Sequence, residues 1–444
     1  MALRVIIHSM KRFGFLLIFL GALLSAFQPA RAQSDAPLVL VMTADGPIMP
    51  PMLEYIKRGV ETAERQDAET LVIRLNTPGG SIDTMLEIIT EIRASNVPVI
   101  VYVAPRNAIA GSAGAMITMA GHASAMAPET SIGASSPISS SGENLNTTAE
   151  TKAMEITKAA IRPFVEPRGE AALALANAMI EEAKAATANE ALEVNLIDFV
   201  VDNIDDLLEA LDGFTVQLSD GPRTLNTGNA QTEPLNMTFI ERFLLMLTDP
   251  NIAFLLIAIG VQAVLIEISS PGGWVAGFVG VVCLSLATYA LGVLPVNWFG
   301  IIFLITAFVL FILDINAPTH GALTTAGVAS FIIGALVLFN SPGTPEFQRV
   351  SVPLVIATGL LLGLLFFGIL VFALRAMRAP IHAGAESFVG KTGTATSWRD
   401  SSGQVQLESE LWSAEVADGS AKVRKGDTVE VVEVSGIRLK VRKK

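Results

Sequence analysis

Between residues 251 and 374 the sequence carries five apolar runs, at about Asn251 to Ile266, Gly273 to Leu294, Trp298 to Leu313, Leu323 to Phe339 and Val352 to Leu374. Each approaches the roughly 20 residues that cross a bilayer as a helix, the first and third being short. In lipid every backbone N–H and C=O must find its partner within the segment, so this part of the chain is predicted to be helical. What precedes and follows it folds in water. The expected division is a leader at 1–32, an α/β domain at 33–212, a polar linker at 213–236, a membrane domain with about five transmembrane helices at 237–375, and a small β domain at 387–444.

The apolar region repeats itself. Leu265 to Leu284 matches Ile312 to Phe331, and Glu267, Pro271 and Gly280 recur as Asp314, Pro318 and Gly327, each 47 positions later. Two helices per repeat keep the same orientation, so both acids fall at one membrane face. At such a turn an acid is expected to cap a helix or meet solvent rather than line an ion path.

The N-terminus sets the orientation. Arg4, Lys11 and Arg12 precede an apolar stretch from Phe13 to Leu24, and Ala30-Arg31-Ala32 stands before Gln33. This reads as a secretory signal peptide with a small-residue cleavage site. The domain from Gln33 onward is then exported, and five spans leave the C-terminus inside. Arg375 and Arg378, directly after the last run, agree with positive-inside. The expected location is the inner (cytoplasmic) membrane, multi-pass, with the C-terminal β domain cytoplasmic. Cys283, the one cysteine, lies in an apolar run, which leaves no disulfide and no Cys-based zinc site. No metal or cofactor is expected.

In the exported part, apolar strands at Leu38 to Met42, Thr70 to Leu75 and Pro98 to Val103 alternate with amphipathic helices at Pro50 to Arg65 and Ser81 to Arg93. That alternation predicts parallel βαβ units. Functional sites in such sheets form beyond the carboxyl ends of the strands. Two glycine-rich turns follow strand ends here, Pro78-Gly79-Gly80 and Ala110-Gly111-Ser112-Ala113-Gly114, and are predicted to meet on one edge. Residues 33–234 hold 28 Asp and Glu against 12 Lys and Arg, the opposite of a nucleic-acid footprint. Five short strands from Lys391 to Lys443 suggest a closed barrel of the OB type.

Ser112 sits among residues with almost no side-chain bulk, where a hydroxyl can project from a tight turn. A nucleophilic serine needs a base and donors for the oxyanion. Gly80 and Ala113 are the expected donors, through their backbone N–H groups. His122 lies ten residues on, roughly 15 Å along a continuing helix, and is too far to serve as base. Lys152, Lys158 and Lys184 remain; a lysine acts as a base only when desolvation keeps it neutral.

Three stretches, VIRLNTPGGSIDTM, AGSAGAMITMAG and MAPETSIGASSPI, resemble the ClpP/SppA class of serine peptidases. The order of signal peptide, this domain, several spans and a small β domain is similar to the long form of the NfeD family of membrane-bound peptidases. EISSPG, DINAPTHG and SGIRLKV resemble that family's membrane and C-terminal domains, so the likeness covers nearly the whole mature chain. It implies a multidomain protein with an α/β ClpP/crotonase-like domain, a polytopic α-helical membrane domain and an OB-like barrel. It further implies endopeptidase activity on hydrophobic segments, a Ser-Lys dyad and a stomatin-like membrane partner. Ser112 is the implied nucleophile. The implied base is Lys152, which opens the helix preceding Ile161-Arg162 and Glu166 to Gly169; Lys158 is the fallback. Ser135 and Ser136 stand where ClpP carries its histidine, and Pro163 and Pro167 are expected to interrupt the helix after Lys152.

A catalytically silent scaffold that binds a stomatin-like partner is the alternative. An acyl-CoA enzyme, which would share the paired oxyanion donors, is disfavoured by export and by the lack of a basic cluster for CoA phosphates. A serine and lysine on an open edge also call for a homo-oligomer that encloses the site.

Overall fold

The computed structural model describes residues 36–136, 147–269, 272–316, 319, 321–342, 344–377 and 385–444. The leader at 1–32, the polar loop before Thr147, Pro271, Pro318 and Arg378 lie outside the described residues. The described residues form two compact units, those up to 306 with 330–358, and 307–329 with those from 359 onward.

The first unit begins with β1 (Leu38–Asp45), α1 (Pro50–Arg65), β2 (Thr70–Asn76), α2 (Ile82–Ala94) and β3 (Val99–Val103). Pro50 and Pro51 sit in the first turn of α1, where a missing N–H costs nothing. The Ser81 side chain caps α2 by accepting from the Thr84 N–H. A short strand β4 (Ile109–Gly111), helix α3 (Ala113–Ala120) and strands β5 (Ala123–Met126) and β6 (Ser131–Gly133) follow. Next come α4 (Thr147–Val165), α5 (Glu170–Glu181), β7 (Ala185–Thr187), α6 (Ala188–Glu193), β8 (Phe199–Val200) and α7 (Ile204–Leu211). Pro163 does not break α4: it falls in the last turn, and the chain tightens into a 3-10 turn over Glu166–Arg168 around Pro167.

Residues 213–236, expected as a linker, carry structure. They form a hairpin of β9 (Thr215–Leu218) and β10 (Gly221–Thr224), then β11 (Gln231–Leu235), which pairs with β1. The central sheet runs β11-β1-β2-β3-β5-β8, with every pair parallel. Its period of two fills two cores. Leu40, Met42, Leu71, Ile73, Val99 and Val101 point into the larger, shared with α1 to α5. Val39, Val72, Ile100 and Tyr102 point the other way, against Leu207, Leu208 and Leu211 of α7 and Val216 of the hairpin. Each such fully buried apolar side chain contributes roughly 1.5–3 kcal/mol.

Beyond β11 come α8 (Phe239–Leu247) and the apolar helices α9 (Pro250–Ser269), α10 (Val275–Val293), α11 (Phe299–Asn316), α12 (Ala322–Phe339) and α13 (Val352–Met377). Among the described residues four segments are long and apolar enough to cross a membrane: Pro250–Ile268, Val275–Val293, Ala322–Phe339 and Glu346–Ile369. The segment in α11, Phe299–Asp314, is shorter.

The sequence repeat is a repeat of contacts. In the first unit Glu267 accepts from the N–H groups of Gly272, Trp274 and Gly277, and so caps the start of α10. In the second, Asp314 accepts from the Thr324 N–H and hydroxyl and from the Thr319 hydroxyl. Gly277 and Thr324 are themselves 47 apart. A Cβ on Gly280 would meet Val264 and the Gly260 carbonyl; one on Gly327 would meet Phe311 and the Ala307 carbonyl, and these partners are again 47 apart. Both acids are therefore caps, as their place at the turn implied.

The second unit ends in a closed barrel of β12 (Thr392–Arg399), β13 (Ser402–Leu407), β14 (Glu410–Val416), β15 (Thr428–Ser435) and β16 (Arg438–Lys443). The order is β12-β13-β14-β16-β15, around Val405, Val429, Val431, Leu439 and Val441. An α/β domain, apolar helices and a five-stranded barrel are the three parts expected.

Candidate active site

The two glycine-rich turns do meet. Thr77 and Ala110 form a parallel bridge, with the Thr77 N–H donating to Ile109 O at 2.7 Å and the Gly111 N–H to Thr77 O at 2.9 Å. The contact is possible only without side chains. Gly79 has φ +118°, and a Cβ there would lie 2.7 Å from Ser112 Cβ. On the far side of the turn, Ile48 holds Gly79 O through its N–H (2.8 Å) and accepts from the Ser81 N–H (2.9 Å).

Ser112 precedes α3 with φ 49° and ψ −113°, a conformation a residue with a Cβ adopts only under constraint. The constraint is visible: its N–H donates to Gly133 O at 2.8 Å, and the Ser135 hydroxyl donates to Ser112 O at 3.2 Å. Ser112 Oγ itself makes no hydrogen bond among the described residues. A small pocket opens beside it, lined by Gly80, Ile82, Met85, Met116, Ser135 and Thr157. Gly80 and Ala113 line this pocket, and their N–H groups donate to nothing among the described residues. Ala113 is the first residue of α3, whose N–H has no partner within the helix. Two free amides beside a serine hydroxyl can hold a developing oxyanion.

His122 belongs to the opposite edge of the sheet. Its Nδ1 accepts from the Val99 N–H at 3.0 Å, at the start of β3, whereas Ser112 lies past the end of that strand. Burial, with the charge of Arg93, pushes its pKa down to about 4. Its Nε2 has no partner among the described residues. His122 is therefore a neutral core residue. Its folded pKa lies below the ordinary 6.5, so the unfolded chain binds the proton first. The resulting stabilisation, about 3 kcal/mol, is complete above pH 6.5 and lost as pH falls through about 4. The wild-type denaturant midpoint is expected to fall more steeply than that of His122→Gln as pH is lowered through this range.

The lysines separate as well. Lys158 bridges Glu155 at 2.8 Å and also pairs with Glu181. Its hydrogen bonds to these carboxylates raise its pKa, which favours the charged form over the neutral form that a base needs. Lys152 lies on α4, exposed, and makes no hydrogen bond or ion pair among the described residues. Thr157, five residues further along the same helix, is the α4 residue that lines the pocket. Ile82, Met85 and Met116 lie within the stretches VIRLNTPGGSIDTM and AGSAGAMITMAG without a role of their own, and Thr157 lies outside them; the helical phases of α2, α3 and α4 are the available signal. Among the described residues no group of three His, Cys, Asp or Glu could hold a metal ion.

Comparison with known proteins covers all three parts of the chain. Residues 39–219 match the NfeD1b N-terminal domain, 251–372 the NfeD integral membrane domain, and 385–443 the NfeD-like C-terminal, partner-binding domain. The membrane-bound protease PH1510 of Pyrococcus horikoshii is 33% identical over 410 residues, 90% of this chain and 92% of that protein. Membrane protein NfeD1b of Bacillus subtilis is 26% identical over 451 residues, 96% and 97% of the two chains. A solved structure is similar over 49% of this chain and 100% of its own, at 31% identity and a TM-score of 0.45. It is a lysine-to-alanine variant of 1510-N, a membrane-bound stomatin-specific protease, with a substrate peptide. With the three matched segments in the same order and a one-third-identical relative spanning nearly its full length, the chain belongs to the NfeD family.

Proposed function

We propose that this protein is a membrane-bound serine endopeptidase that cleaves hydrophobic segments, with Ser112 as nucleophile and Lys152 as base. The observation that carries the reading is the serine at a strained turn beside two unengaged amides, in a pocket walled by Ile82, Met85 and Met116. Ser112 Oγ attacks the scissile carbonyl carbon and gives its proton to Lys152. The carbonyl oxygen, now negative, is held by the N–H groups of Gly80 and Ala113. Collapse of the tetrahedral adduct releases the amine, which takes the proton from Lys152, and leaves an acyl ester on Ser112. Water, deprotonated by Lys152, then attacks the ester carbonyl, and collapse of the second adduct releases the acid as Lys152 returns the proton to Ser112 Oγ. A bound apolar segment excludes water from the pocket and from the first turns of α4, the condition under which a lysine is neutral.

The membrane partner proposed is a stomatin-like protein, since the solved relative is named for that specificity. The barrel, matched to a partner-binding domain, is the element proposed to hold it. The signal peptide, the inner-membrane location and a homo-oligomer that closes the site complete the proposal. The second reading, a silent scaffold, is favoured by the exposure of Lys152.

The test is cleavage of a hydrophobic peptide library by the full chain in mild detergent, with wild type, Ser112→Ala and Lys152→Ala in parallel from neutral to alkaline pH. Loss of on the order of 10³-fold in both variants, with a wild-type rate that rises with pH, is expected. Equal product from all three proteins contradicts the dyad.

A further inference from the structure

Helix α8, the nine residues Phe239–Leu247, has two unlike faces. One is tied to the catalytic domain. Glu241 takes a two-pronged hydrogen bond from Arg58 of α1, at 2.6 and 2.9 Å, and Arg58 also donates to Asn236 O at 2.8 Å. The other face is apolar and uncovered among the described residues: Phe239 is 82% exposed, Ile240 66% and Met246 47%. Phe239 and Phe243 stack with ring centroids 6.2 Å apart. The helix is no fragment of a frayed loop, because Thr238 and Glu241 close a full capping box at its start.

We infer that α8 lies along the bilayer surface, with its Phe239–Phe243–Met246 edge bedded among phospholipid headgroups and upper acyl chains, and that it seats the catalytic domain on the membrane. Three observations carry this. Only Thr248 and Asp249 separate α8 from α9, whose Pro250–Ile268 segment is long and apolar enough to span. Two residues reach at most about 7 Å, so the end of α8 cannot stand away from the lipid. Aromatic rings beside a cation suit the headgroup layer, and the exposed Arg242 lies next to this edge while Glu241, the one acid of the helix, is turned onto Arg58.

The seat has a consequence for the site. A cleft of about 610 Å³ is lined by Asp45, Gly46 and Pro78 of the catalytic domain together with Arg242, Leu245, the half-exposed Met246 and Pro250. The turn that carries Gly80 is therefore one cleft away from where the chain enters the bilayer. The depth of α8 fixes the height of Ser112 above the lipid, and the Arg58–Glu241 pair transmits it. The inference rests on the membrane domain and not on peptidase activity, so lipid contact is the readout.

In a Cys283→Ser background, single cysteines are placed by Phe239→Cys, Met246→Cys and, as a control on the exposed face of α1, Lys57→Cys. The full chain is labelled with bimane and reconstituted in phosphatidylglycerol-containing vesicles. At both α8 positions emission is expected to shift to the blue and to be largely quenched by lipids brominated near the top of the acyl chain, while iodide in the water quenches only the Lys57→Cys label. Quenching of both α8 labels by iodide and by no brominated lipid overturns the proposal. So does protection from both quenchers with efficient bismaleimide cross-linking between copies, which would assign the face to a second chain.

Discussion

Ser112→Ala is expected to lower kcat/KM for a hydrophobic peptide by on the order of 10³-fold or more, with little change in stability. The asymmetry follows from the geometry. The turn is held through the main chain of Ser112 and its neighbours: the Ser112 N–H donates to Gly133 O, Ser112 O accepts from the Ser135 hydroxyl, and Thr77 bridges Ala110. Ser112 Oγ takes no part in any of these, so the substitution removes the proposed nucleophile and leaves the fold. The pocket, with Ile82, Met85 and Met116, keeps its shape, so the variant should still bind peptide. Peptide affinity within a few-fold of wild type, measured by fluorescence anisotropy alongside cleavage, checks both halves.

Gly80→Ala is expected to do the reverse and damage fold and chemistry together. A Cβ at this position would lie 2.1 Å from the Ile48 carbonyl oxygen, inside van der Waals contact. Ile48 cannot step aside without loosening its two main-chain bonds, to Gly79 O and from the Ser81 N–H. Overpacking of this kind costs about 1–3 kcal/mol, and each hydrogen bond lost adds about 1 kcal/mol. The turn would also shift the Gly80 N–H, the proposed oxyanion donor, and loss of one such donor lowers kcat by on the order of 10²–10³. Denaturant unfolding of the full chain, followed by protease sensitivity of residues 36–235, together with kcat, separates the two contributions. A variant as stable and as active as wild type would show that the turn carries neither.

Much of this arrangement is legible in the sequence because it depends on periodicity. The strands β1 to β3 announce themselves by apolar runs, and the turns at Gly79 and Ser112 by residues without bulk. The rule that sites gather at carboxyl ends then brings the two turns together. The membrane repeat is legible for a different reason: one acid and one glycine at fixed spacing specify a cap and a close helix contact. Strand β11 is not legible. Gln231 to Leu235 is largely polar, since an edge strand needs only its backbone to pair with β1 and carries no buried alternation of its own. Helix α8 is masked in the sequence by the apolar runs beside it, although Thr238 and Glu241 spell a capping box. Lys158 shows what spacing cannot do: α4 carries both it and Lys152, and only the placement of Glu155 and Glu181 removes it from the chemistry.

The most direct measurement is labelling of the full chain with a fluorophosphonate that carries an apolar tail, followed by peptide mapping, in wild type and in Lys152→Ala. A single adduct on Ser112 in the wild type, formed far more slowly without Lys152, is the result a Ser-Lys peptidase gives. Absence of an adduct on Ser112, or equal labelling rates in the two proteins, contradicts it.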